Sequence, residues 1–128
     1  MSDRILSVVE VGGAVDAVMD MVRRRGGVSI AEIARVLESR GIPTNGDVWL
    51  SRSKLADLNI YIWPCATNAA AQVMEALECA VEPKPASWLV YLCDGLMWNV
   101  PIAKTVRRYK NQRWLPVTFD LAAPKETR

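Results

Sequence analysis

A helix with both of its ends marked in the sequence constrains this chain more than any other feature. Ser29 and Glu32 stand three residues apart, the spacing at which a hydroxyl and a carboxylate reciprocally satisfy amide donors left free at a helix start. Ile30, Ile33, Ala34 and Leu37 then recur at helical spacing, and Gly41 followed by Pro43 stops the run. The pattern predicts a short helix over residues 29–40 with one apolar face. That face must be buried, so the segments on either side have to supply a cover.

Upstream, Ile5, Val8, Val9, Val15, Val18, Met19 and Val22 trace an apolar stripe interrupted by Gly12 and Gly13. It predicts a loose first segment and a firm helix over residues 14–25, ended by Gly26 and Gly27. Arg23, Arg24 and Arg25 fall in its last turn, where the helix dipole favours cations. Downstream, Pro43, Thr44 and Asn45 supply turn chemistry, and a third helix is expected from about Asp47 to Leu58. Val48, Ser51, Leu55 and Leu58 would share its buried face; Trp49, Arg52, Ser53 and Ala56 would share another. The β-branched and aromatic content of residues 48–51 also allows a strand there. Residues 59–64, rich in Ile, Tyr and Trp, read as a strand closed by Pro64. Thr67 or Asn68 caps a further helix with the stripe Ala70, Val73, Met74, Leu77 and Val81, and the Glu-Pro-Lys-Pro of residues 82–85 breaks it and begins the β-rich end.

In the C-terminal part, Asp94-Gly95 sits between two apolar runs, a strong hairpin signal. A two-residue turn there pairs Cys93 with Leu96, Tyr91 with Trp98 and Leu89 with Val100, leaving Trp88, Val90, Leu92 and Met97 on the other face. Both faces of such a hairpin are apolar, so each needs cover, and a homodimer through this half would supply one. Ile102, Val106 and Tyr109 stand at helical spacing among Lys104, Arg107, Arg108 and Lys110, which suggests a basic amphipathic helix. Residues 113–121 read as a last strand, interrupted by Pro116 and so expected at a sheet edge.

The 128 residues suit one α+β domain, with a helix-turn-helix-like half over residues 14–64, a helix plus antiparallel β half over 65–121 and a tail at 122–128. No run approaches the roughly 18 apolar residues of a membrane span, and the N-terminus lacks a signal-peptide pattern, so a cytoplasmic protein is expected. The chain has no His and three Cys without a Cys-x-x-Cys pair, which argues against structural zinc and against histidine-based catalysis. Cys65, Cys79 and Cys93 are expected as small buried apolar residues. Asp16 and Asp20 lie one turn apart, but no second carboxylate pair joins them, so neither metal nor cofactor is expected. No nucleophile, base and oxyanion site assembles, and an enzyme is the least favoured class.

Within residues 15–63 the sequence resembles the winged helix-turn-helix superfamily, and most nearly the HARE-type helix-turn-helix of bacterial restriction and transcription-associated proteins. The matching residues are Ala17-Val18-Met19-Asp20 with Arg24-Arg25-Gly26-Gly27, then Ser29-Ile30-Ala31-Glu32-Ile33-Ala34, then Leu37-Glu38-Ser39-Arg40-Gly41-Ile42. The resemblance implies a third helix in the DNA major groove and a wing on phosphate. The positions matching that helix are Trp49, Arg52, Ser53 and Lys54; Lys104, Arg107, Arg108 and Lys110 are the expected phosphate contacts. Net charge is only +2, so DNA binding depends on where charge is placed. A DNA-binding protein of regulator or phage-accessory type is therefore expected. The other expectation is a protein-binding adaptor or inhibitor on the same scaffold, as in a phage antagonist of host defence, because five Trp in a short chain suit an interface.

Overall fold

A computed structural model of the chain describes residues 5–52, 55–93 and 100–122. The described residues form a mixed α and β structure with four α-helices and small, mostly antiparallel sheets. Helix α1 (Val8–Arg25) starts earlier than the stripe predicts, because Ser7 and Glu10 form a capping box of their own. It runs unbroken through Gly12 and Gly13. Ahead of it, the Gln72 side chain binds both the N–H (2.7 Å) and the C=O (3.2 Å) of Leu6, which ties this start to a later helix. Ala14, Val18, Met19 and Val22 form the buried face of α1.

Gly26 ends α1 with φ +69° and donates its N–H to the carbonyl of Val22. A Cβ at that position would also lie 2.8 Å from Asp120 Oδ1, so glycine meets both a backbone and a space requirement. Strand β1 (Val28–Ser29) follows, then α2 (Ile30–Ser39) with the expected Ser29 and Glu32 capping box. Ile30, Ala31, Ile33, Ala34 and Leu37 are all buried. The expected helix over residues 47–58 is absent as such. Val48–Leu50 is instead a strand, β2, which matches the alternative reading, and Leu55–Leu58 forms one turn of 3-10 helix. β-Branched and aromatic side chains prevail where a partner strand is at hand, and here that partner is the segment Trp63–Ala66.

Residues 59–66 hold two short strands, β3 (Ile60–Tyr61) and β4 (Trp63–Ala66), so Pro64 lies inside a strand where it was expected to close one. β4 pairs antiparallel with β2 through an irregular register, Val48 opposite Ala66 and Leu50 opposite Trp63. α3 (Asn68–Leu77) is capped by Thr67, whose hydroxyl accepts from the Ala70 N–H at 3.0 Å. It stops four residues short of Val81, which begins β5 (Val81–Pro85).

The central sheet has the order β1-β7-β5, with β7 (Val117–Leu121) between its two neighbours. Val28 faces Phe119 on one side of β7; on the other side Pro83 faces Phe119 and Pro85 faces Val117, all antiparallel. The Glu-Pro-Lys-Pro segment, expected to begin the β-rich end, is itself part of a strand. One expectation is corrected by this sheet: β7 is central where an edge was expected. The two prolines of β5 are two residues apart, so both missing N–H groups lie on the edge turned away from β7. Val117 and Phe119 point into the core shared with α1, while Thr118 and Asp120 alternate on the other side.

Leu89–Cys93, expected as a hairpin arm, is a short helix, α4. The Asp94-Gly95 turn and most of the second arm lie outside the described residues. The two-sided hairpin from which a dimer was inferred thus loses its first strand. Tyr91 of α4 is fully buried, and its hydroxyl bridges the Ile30 N–H (3.0 Å) and the Val117 carbonyl (2.6 Å). Its ring meets Trp114 edge-on at 5.0 Å between centroids. Cys65 is half-buried and Cys79 exposed, so neither is the buried apolar filler expected. Among the described residues no helix is long and apolar enough to cross a membrane, and no cluster of His, Cys, Asp and Glu is arranged to hold a metal.

Candidate nucleic-acid interface

Between Asp94 and Asp120 the sequence carries no acid and five cations, Lys104, Arg107, Arg108, Lys110 and Arg113. The expected amphipathic helix over this segment is not formed; residues 103–112 are an irregular loop. Its ends are held by other strands. β6 (Arg113–Trp114) pairs in parallel with β3, Ile60 beside Arg113 and Tyr61 beside Trp114, and Ile102 bridges Trp114 on the other side. Ile102 and Tyr109 are thereby drawn inward by different partners, whereas Val106, the third member of the helical-spacing set, turns outward and is 55% exposed.

The tip of the loop is fastened as closely as its ends. The Tyr109 N–H donates to the Leu58 carbonyl at 3.0 Å, and the Arg113 N–H to that of Asn59 at 2.8 Å. Asn59, in the left-handed region at φ +61°, donates its side-chain amide to the carbonyls of Tyr109 (2.8 Å) and Lys110 (3.3 Å). Arg108 reaches the backbone carbonyl of Asp57 at 3.1 Å. A loop without regular structure is thus held from both sides, which lowers the ordering cost when it meets a ligand.

Tyr109 is the strut beneath the charges. Its ring is buried, its hydroxyl exchanges hydrogen bonds with the backbone of Thr105, and the guanidinium carbons of Arg107 and Arg113 lie 4.3 and 4.8 Å from its centroid. Hydrogen bonding to the Thr105 side chain holds its phenol below the usual tyrosine range; the Thr105 backbone and the two arginines act in the same direction, against burial. Lys104, Arg107, Arg108 and Lys110 are all exposed, and Arg113 is half-buried with its Nη1 near the Ile102 carbonyl at 3.4 Å.

The other expected contacts are placed differently. Trp49 is half-buried in β2 and packs edge-on against Tyr61 at 5.5 Å. The Arg52 guanidinium donates to the carbonyls of Glu78 and Val81, satisfying backbone just past the end of α3. Ser53 and Lys54 lie outside the described residues. Trp49 and Arg52, the described two of the four sites expected on one recognition helix, therefore do not share a helix face. Arg24 pairs with Asp20 at 3.0 Å and Arg25 with Glu32, so two of the three arginines at the end of α1 are engaged locally. The fastening role of Asn59 has no motif to mark it in the sequence, although Asn is the side chain most tolerant of positive φ after glycine.

No protein-family model, curated protein or solved structure matches the chain.

Proposed function

We propose that the chain is a winged-helix DNA-binding protein of regulator type, in which the wing makes the main contact. The order α1, β1, α2, α3, β5, β7, with β7 between β1 and β5, suits that scaffold if α3 takes the place of the third helix. Residues 40–67 are then an insertion before it, and residues 86–116, which connect the adjacent strands β5 and β7, stand where a wing would. The carrying observation is that this connection holds four exposed cations on a fastened loop, residues 103–112, in which there is no acid. The outer face of α3 has the opposite character, with exposed Asn68, Glu75 and Ala76 and no cation, so it is poorly suited to phosphate. Backbone contact without extensive base reading fits this division.

Neutralising about four phosphates gives a log-log salt slope near −3.6 on duplex DNA. Titration of a mixed duplex pool at several salt concentrations measures it. The variant with Lys104, Arg107, Arg108 and Lys110 all changed to Ala should lose most of the affinity and most of the slope. No binding at low salt, or binding unchanged in that variant, overturns the reading.

A second reading, a protein-binding adaptor on the same scaffold, draws on Trp88 and Leu89, adjacent and 44% and 51% exposed. Capture from host lysate that survives nuclease treatment and is lost in Trp88→Ser favours it over DNA.

A further inference from the structure

Charge is segregated in this molecule, and the acidic side contains a groove. From Val8 to Val22 helix α1 has Glu10, Asp16 and Asp20 and no Lys or Arg; α3 has Glu75 and no Lys or Arg. Between the two helices lies an open groove of about 430 Å³ lined by Leu6, Val8, Val11 and Val15 on one wall and by Gln72 and Ala76 on the other, with Asp16 and Glu75 also lining it. No cation is among those lining residues. Val8 is 90% exposed, and the adjacent Ile5 and Val9 are 81% and 84% exposed. One helical turn along α1, Asp20 is exposed and paired with Arg24, and Glu78 is exposed just past the end of α3.

An apolar floor this open, with Asp16 and Glu75 as the charged groups among its described lining residues, disfavours an acidic surface and disfavours nucleic acid. It matches a segment with an apolar stripe and cations beside it. We propose that the α1–α3 groove is a docking site for a basic amphipathic helix of a partner protein. The helical part of the wall, from Val8 to Asp16, is roughly 12 Å long at 1.5 Å per residue, with Leu6 ahead of it, enough to meet anchors at i, i+3 or i+4, and i+7 of an incoming helix. Gln72 contributes stiffness, since its amide holds the Leu6 backbone at both N–H and C=O and so fixes the mouth of the groove. This site does not depend on the DNA reading, because it shares no residue with the basic loop.

The probe is a fluorescein-labelled 14-residue helix-forming peptide with Leu at the anchor positions and Lys at the others, compared with a Glu analogue of the same apolar pattern. Anisotropy titration with the full chain should show the Lys peptide bound at least tenfold more tightly than the Glu peptide. The double variant Asp16→Lys, Glu75→Lys should reverse that preference, and Val8→Ser with Val15→Ser should weaken the Lys peptide at least tenfold. The quadruple Ala variant of the basic loop should bind it as the parent does. Equal binding of the two peptides overturns the proposal, as does preference retained after charge reversal. A mass that doubles with concentration and returns to monomer in Val8→Ser, Val15→Ser would assign the groove to a second copy of the chain and overturn it equally. The substituted side chains are on the groove surface, and an unchanged circular dichroism spectrum confirms that each variant folds.

Discussion

Tyr91→Phe removes one oxygen and no packing volume, which makes its expected effect unusually direct. In the folded chain that oxygen accepts from the Ile30 N–H at 3.0 Å and donates to the Val117 carbonyl at 2.6 Å, at a position with no solvent exposure. Ile30 is the first residue of α2, so its N–H is among the amides a helix cannot satisfy internally; the Ser29 hydroxyl serves Glu32 instead. Phe leaves the ring on Trp114 and opens no cavity, but it strands one buried donor and one buried acceptor. Each such group costs about 1–3 kcal/mol, and because both share one oxygen the two costs do not add fully. The expected loss is about 2–4 kcal/mol, a large share of the roughly 5–15 kcal/mol that holds a domain of this kind together. Urea unfolding followed by circular dichroism measures it, with the slope against denaturant unchanged, since the same surface is exposed in both proteins. Amide exchange at Ile30 should accelerate in step. A loss under about 0.5 kcal/mol with Ile30 still protected would show that the hydroxyl does not join α2 to β7, and α4 would then not be an anchored element.

Two further outcomes separate charge from support. Tyr109→Leu keeps every cation and removes the surface on which Arg107 and Arg113 rest; duplex affinity should fall about two- to fivefold, in line with an exposed cation–π contact, while the salt slope stays as it was. Full affinity in that variant would mean that the mount is irrelevant to binding. Arg52→Met should lower stability by about 1 kcal/mol, because two carbonyls beyond α3 lose a charged donor at a partly solvated position. Its duplex affinity should match the parent, and a loss of affinity at unchanged stability would return Arg52 to the DNA interface.

Features set by short-range chemistry are legible in the sequence alone. The start of α2 can be read because Ser29 and Glu32 meet each other within one turn, and the start of α3 because Thr67 needs only Ala70. The mixed α and β class and the stretch of cations without acids are likewise visible along the chain. The elements that depart from the sequence pattern take their form from partners distant in sequence. Pro83 and Pro85 look like helix breakers until β7 lies beside them, when they become one blunted edge of a sheet. Leu89–Cys93 is a short apolar run whose period does not distinguish strand from helix, and its place is fixed by one hydroxyl reaching residues 61 positions before it and 26 after it. Ile102, Val106 and Tyr109 share a helical spacing, yet Ile102 is claimed by Trp114 and Tyr109 by Leu58, so the backbone between them follows those two attachments and Val106 is left facing solvent. A periodic pattern shows which side chains can share a face, but only the competing long-range partners decide whether they do. That competition turned the basic segment from a helix into a fastened loop.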